Sequence, residues 1–157
     1  MKKALLLTLL AAAVSAPVAE AGRASNRKID ALFNLVDVND DNLLDELEFF
    51  ATQSRKASVA FSRFRFNKTD VNDDGSVDLT EFRATRAGAT SGRPNLVEIF
   101  LLCDQDDSGT LDPLEYSDSL RQRTPWPRVL LAFGRRDRDD SGDLTPREFG
   151  IRRFPVL

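Results

Sequence analysis

DVNDDGSVDLTE, residues 70–81, carries an oxygen-bearing side chain at its first, third, fifth, ninth and twelfth positions: Asp70, Asn72, Asp74, Asp78 and Glu81. Three further stretches repeat the pattern: DVNDDNLLDELE from Asp37, DQDDSGTLDPLE from Asp104 and DRDDSGDLTPRE from Asp137. Their starts lie 33, 34 and 33 residues apart, and position 12 is Glu every time. So even a period marks repeats of one supersecondary unit. Oxygen donors at fixed offsets make a cage for a hard divalent cation.

Outward from each loop the pattern changes from polar to apolar-periodic. Four residues before the loops stand Phe33, Phe66, Phe100 and Phe133, and directly after them Phe49, Phe82, Tyr116 and Phe149. Ile29, Leu32, Phe33 and Val36 line one helical face before loop one; Leu96, Ile99, Phe100 and Cys103 do so before loop three. Val129, Ala132 and Phe133 precede loop four, and a less regular set, Phe61, Phe64 and Phe66, precedes loop two. Pro94 and Pro125 suit the first turn of an incoming helix, and Pro113 and Pro146 the start of an outgoing one.

A helix–loop–helix unit with D-x-[DN]-x-[DN]-G and a final Glu resembles the EF-hand, the calcium-binding motif of the calmodulin superfamily. The resemblance covers nearly all of the chain beyond the N-terminal segment. It implies an all-α fold of four hands in two pairs, each pair joined by a short two-stranded β-bridge at position 8: Leu44, Val77, Leu111 and Leu144. The expected division is an EF-hand pair over 22–87, a short linker over 88–93 and a second pair over 94–157. The linker lies within Arg86–Pro94, where Gly88, Thr90, Ser91 and Gly92 favour a loop that keeps the two lobes close together.

The resemblance also implies the ligands, up to four Ca²⁺ in all. Loop one would use Asp37, Asn39, Asp41, the Leu43 carbonyl, Asp45 and Glu48; loop two Asp70, Asn72, Asp74, the Ser76 carbonyl, Asp78 and Glu81. Loop three would use Asp104, Asp106, Ser108, the Thr110 carbonyl, Asp112 and Glu115; loop four Asp137, Asp139, Ser141, the Asp143 carbonyl, Thr145 and Glu148. Position 6 needs positive φ, which Gly75, Gly109 and Gly142 adopt freely, whereas loop one offers Asn42. Loop four has three carboxylates at its side-chain ligand positions where the others have four. Loops two and three are therefore expected to bind ahead of one and four.

Residues 1–21 read as a secretory signal peptide: Lys2 and Lys3, an apolar run from Ala4 to Val14, and Ala19-Glu20-Ala21 as a cleavage site. An apolar run of 11 residues is shorter than the roughly 20 a membrane span needs. The reading predicts an exported protein, periplasmic or secreted, with no transmembrane segment in the mature chain. A lone cysteine, Cys103, excludes an intramolecular disulfide framework. Without residues 1–21 the chain keeps 20 of its 22 basic and 24 of its 25 acidic residues, a formal charge of -4. Four divalent ions would turn that into +4.

No histidine is present, so His-based catalysis and His-ligated metal sites are absent, and nearly every acid lies in the four loops. The reading is a non-catalytic, calcium-stabilised buffer or structural module. The alternatives are a sensor that presents a basic surface to an acidic protein or an anionic lipid surface when loaded, and a non-catalytic subunit of an exported enzyme. Against a methionine-lined target groove, the only methionine is Met1, and nucleic acid is not an expected partner. Trp126 reads as core packing first and a partner anchor second.

Overall fold

A computed structural model of the chain describes residues 16–86, 88 and 92–153, with side chains from Ser25 onward. The apolar run from Ala4 to Val14, part of the expected linker and Phe154–Leu157 lie outside the described residues. The elements are α1 (Ala16–Val36), β1 (Leu43–Leu44), α2 (Glu46–Ala51), α3 (Val59–Thr69), β2 (Val77–Asp78), α4 (Leu79–Arg86), α5 (Leu96–Cys103), α6 (Pro113–Asp118), α7 (Trp126–Gly134) and α8 (Pro146–Phe149). The fold is all-α with one small sheet.

Each loop starts its own outgoing helix. In loops one, three and four the position-9 side chain caps the helix, and the position-12 Glu reaches back to the cap's backbone N–H, closing a capping box. Loop two makes the same exchange between Asp78 and Glu81. Pro113 and Pro146 occupy the first turn, as expected, where no N–H is needed. The incoming helices differ from expectation in one respect. Asn95, not Pro94, opens α5 as its cap, and Pro125 is itself the cap of α7, so that Pro127 takes the first-turn place.

Loops one and two meet through β1 and β2, antiparallel, with Leu43 opposite Asp78 and Leu44 opposite Val77. Loops three and four meet through one bridge, where Leu111 and Leu144 exchange backbone hydrogen bonds of 2.9 and 2.8 Å. All four position-8 side chains are fully buried. Around them the aromatic rings pack edge-to-face across the pair: Phe33 on Phe82 at 5.6 Å and Phe49 on Phe66 at 5.5 Å. The second pair repeats this with Phe100 on Phe149 at 5.6 Å and Tyr116 on Phe133 at 5.8 Å. Truncating such a buried ring to alanine typically costs about 3–5 kcal/mol.

Two clusters result, one under loops one and two and one under loops three and four. α3 joins them. Its Phe66 lies in the first cluster and its Ala60 in the second, so the helix buries two faces and its apolar period blurs. Ser58 and Arg121 form a bridge between the two inter-helix linkers, and Gln122 N–H donates to the Ala57 carbonyl at 3.0 Å. Arg63 spans the same junction, donating to Glu46 and to the Leu102 carbonyl at 2.7 Å each, with Asp118 at 3.6 Å.

Candidate metal centre

The four loops share one hydrogen-bond frame. At position 1, Asp37, Asp70, Asp104 and Asp137 each accept from the backbone N–H of positions 5 and 6, at 2.9–3.2 Å. At position 12, Glu48, Glu81, Glu115 and Glu148 each accept one N–H on either oxygen, from positions 2 and 9, at 2.8–3.1 Å. A carboxylate has about four acceptor sites. Glu48, Glu81 and Glu115 therefore keep a lone pair on each oxygen, aimed by two fixed backbone bonds, whereas Oε2 of Glu148 also accepts from the Thr145 hydroxyl.

Position 3 follows the same rule. The side chains of Asn39, Asn72, Asp106 and Asp139 each accept from the N–H of position 5. At position 5, Asp41 and Asp74 accept from the N–H of position 7, as do Ser108 and Ser141 more loosely. Ser108 and Ser141 also donate their hydroxyls to the position-7 carbonyls of Thr110 and Asp143, at 3.0 and 2.9 Å. Binding a cation through both oxygens requires those two hydroxyl protons to turn away.

Position 9 separates loop four from the rest. Asp45, Asp78 and Asp112 spend one oxygen on the helix cap and retain the other. Thr145 has a single oxygen, which caps Glu148 N–H at 3.3 Å and donates to the Glu148 carboxylate at 2.7 Å.

The backbone makes the turn in two left-handed steps. Position 6 has φ of 65° at Asn42 and 79–89° at Gly75, Gly109 and Gly142. Position 4 is also left-handed, φ 53–57° at Asp40, Asp73, Asp107 and Asp140. Sequence reasoning assigned position 4 nothing; the signal was an aspartate there in all four loops, a residue that tolerates this region.

Carboxylate oxygens of Asp104, Asp106 and Glu115 lie within 4.8 Å of one another, as do those of Asp137, Asp139 and Glu148. In loops one and two the third position is Asn39 or Asn72, whose amide donates to Asp41 or Asp74 at 2.9 and 2.8 Å. The ion pairs among the described residues join Arg63 to Glu46 and Asp118, and Arg83 to Asp30. None of these acids stands at a ligand position. Asp37, Asp70, Asp104, Glu48 and Glu115 are nonetheless buried. Asp104 and Glu115 are at once buried, clustered and, among the described residues, unpaired with any cationic side chain, which is the donor set a hard cation requires.

Residues 65–84, α3 through loop two into α4, match the EF-hand family model. That match supports an EF-hand calcium-binding protein. No curated protein matches the sequence. Among solved structures the chain is similar to a redox protein from Chlamydomonas reinhardtii, at 21% identity and a TM-score of 0.34. The alignment covers 83% of this chain and 48% of that one, so the chain spans about half its length.

The loop hydrogen bonds hold several of the loop acids in their charged form. The Ser76 hydroxyl, then the Asn72 amide, keep Asp74 below the ordinary carboxylate range, and Ser108 does so for Asp106. Glu148 falls to about 2, chiefly through the Arg138 N–H and then the Thr145 hydroxyl. Outside the loops, the Arg83 guanidinium donates to both oxygens of Asp30 at 2.7 and 2.8 Å, tying α4 to α1 and lowering the Asp30 carboxyl. Cys103 is fully buried in the second cluster, and burial pushes its thiol up to about 12. Its position is a packing position, like that of Val36 and Thr69, both buried. Among the described residues, no helix is long and apolar enough to cross a membrane.

Proposed function

We propose that this is an exported, non-catalytic EF-hand protein that takes up to four Ca²⁺ ions, one per loop, and is stabilised by them. The ligands are the side chains at positions 1, 3, 5, 9 and 12 of the loops starting at Asp37, Asp70, Asp104 and Asp137, with the position-7 carbonyls. The observation that carries the reading is the shared backbone frame around Glu48, Glu81, Glu115 and Glu148, each with both oxygens fixed by backbone N–H groups. Two-oxygen coordination from that residue suits calcium, since magnesium demands a tighter octahedron. The division into pairs at 22–87 and 94–157 belongs to the same proposal, as does the signal peptide over 1–21 with its cut after Ala21.

A buffering or structural role fits better than an opening sensor. A sensor hand exposes a flexible, methionine-rich groove on loading, and the positions that would line one after loops two and three are Thr85, Arg86, Ser119 and Leu120. Thr85 is buried and hydrogen-bonded to Thr69 at 3.0 Å, closing the position where a groove would widen. The test is a thermal melt of the full chain in chelator and in calcium, with a hydrophobic-surface dye present. A higher melting temperature in calcium with a flat or falling dye signal fits the proposal. An unchanged melt refutes calcium stabilisation, and a calcium-driven rise in dye signal refutes the closed, buffering form.

A further inference from the structure

α7 is apolar on both sides. Val129 and Phe133 are buried in the second cluster, yet Trp126, Leu130 and Leu131 are 48, 46 and 58% exposed on the same nine-residue helix. A helix that is apolar all round is ordinarily covered. Between Asp118 and Asp137 the charges along the chain are of one sign. Residues 119–136 contain five arginines and no acid. All five are exposed, and Arg136 is also held by the Tyr116 hydroxyl and the Phe149 carbonyl. Arg128 and Arg135 stand with Leu131 and Leu120 around an open depression of about 320 Å³.

We propose that the outward face of α7 docks on an anionic bilayer, with Trp126, Leu130 and Leu131 entering the headgroup–acyl boundary and Arg128 and Arg135 contacting lipid phosphates. Tryptophan favours that boundary because it has an apolar body and a polar N–H. Arginine can lay its stem along the apolar layer and keep its guanidinium among phosphates. A continuous negative plane satisfies arginines spread over a linker and a helix, whereas an acidic peptide would need carboxylates matched to each one. The docking face is built from α7 and the linker before it, so it stands apart from the calcium reading. Calcium would only strengthen it, by neutralising the acids of loop four that follow α7.

Trp126 is the chain's single tryptophan, so its emission reports on this face alone. The full chain is mixed with phosphatidylcholine vesicles and with phosphatidylcholine–phosphatidylglycerol vesicles, both with brominated acyl chains, in chelator and then in calcium. The expected result is a blue shift and bromine quenching on the anionic vesicles only, reversed on wild type by high salt. An Arg128→Gln, Arg135→Gln variant of unchanged circular dichroism is expected to partition roughly twenty-five-fold more weakly, at about five-fold per arginine. Four results overturn the proposal. One is unquenched emission on anionic vesicles in both conditions, which includes attachment through another part of the chain. The others are equal quenching on phosphatidylcholine alone, undiminished partition of the double variant, and a tryptophan response to polyglutamate without one to vesicles.

Discussion

Replacing Arg63 with alanine tests whether the two halves are clamped through one side chain. The side chain is 21% exposed and holds three groups from two halves: Glu46 at the tenth position of loop one, the Leu102 carbonyl at the end of α5, and Asp118 at the end of α6. The Glu46 pair is partly exposed and contributes about 0.2–1 kcal/mol after solvent screening. The charged bond to the Leu102 carbonyl, one of the unpaired acceptors at a helix end, is worth about 1.5 kcal/mol or more. The sum is a loss of about 2 kcal/mol, or about 4–8 °C in melting temperature for a chain of this size.

The loss also depends on pH in a set direction. Burial raises the Asp118 carboxyl, and Arg63 opposes that rise. Removing Arg63 raises it further, so the folded state of the variant holds a proton that the unfolded chain releases. Between the ordinary carboxylate range and the raised value, stability then falls as pH rises. Melts at pH 5 and pH 7.5 are therefore expected to show a larger Arg63→Ala deficit at the higher pH, with Arg63→Lys restoring part of it. A deficit below about 0.5 kcal/mol, the range of an ordinary surface substitution, or one larger at pH 5, would refute the clamp.

Asn42→Gly places glycine at a φ of 65° and is expected to raise loop one's calcium affinity by up to about fivefold, the equivalent of relieving about 1 kcal/mol of backbone strain; competition titration against a chelating dye checks it. Cys103, buried with its thiol pushed up to about 12, is expected to react slowly with a disulfide reagent at pH 8 in native protein and at once in denaturant. The same shift makes the folded state hold its proton longer than the unfolded chain, so stability falls as pH rises above about 9, which alkaline urea titrations would detect.

The parts of the fold legible in the sequence are those that one repeat writes by itself. Phe33, Phe49, Phe66 and Phe82 are readable because ring packing needs an aromatic at each fixed offset, and Leu44, Val77, Leu111 and Leu144 because the bridge needs an apolar residue at position 8. Capping boxes such as Asp112 with Glu115 are readable for the same reason, since both partners lie within one turn. What could not be read depends on relations between repeats. The bridge from Ser58 to Arg121 joins residues of unlike type far apart in sequence, and Arg63 looks like any exposed arginine until α3 is set against α5. Ala60 carries too small a side chain to announce its place in the second cluster. At the loops the donor offsets were legible, but the serine hydroxyls turned onto Thr110 and Asp143, and the single overused oxygen of Thr145, appear only in three dimensions.

The most direct test of the calcium reading is calorimetric titration of the metal-stripped full chain with calcium in millimolar magnesium, repeated on Glu81→Gln, Glu115→Gln and Glu148→Gln. The account predicts more than one equivalent bound by the wild type, and the loss or marked weakening of one equivalent in each variant. No calcium heat over the magnesium background, or the same stoichiometry and affinity in all three variants, would contradict it.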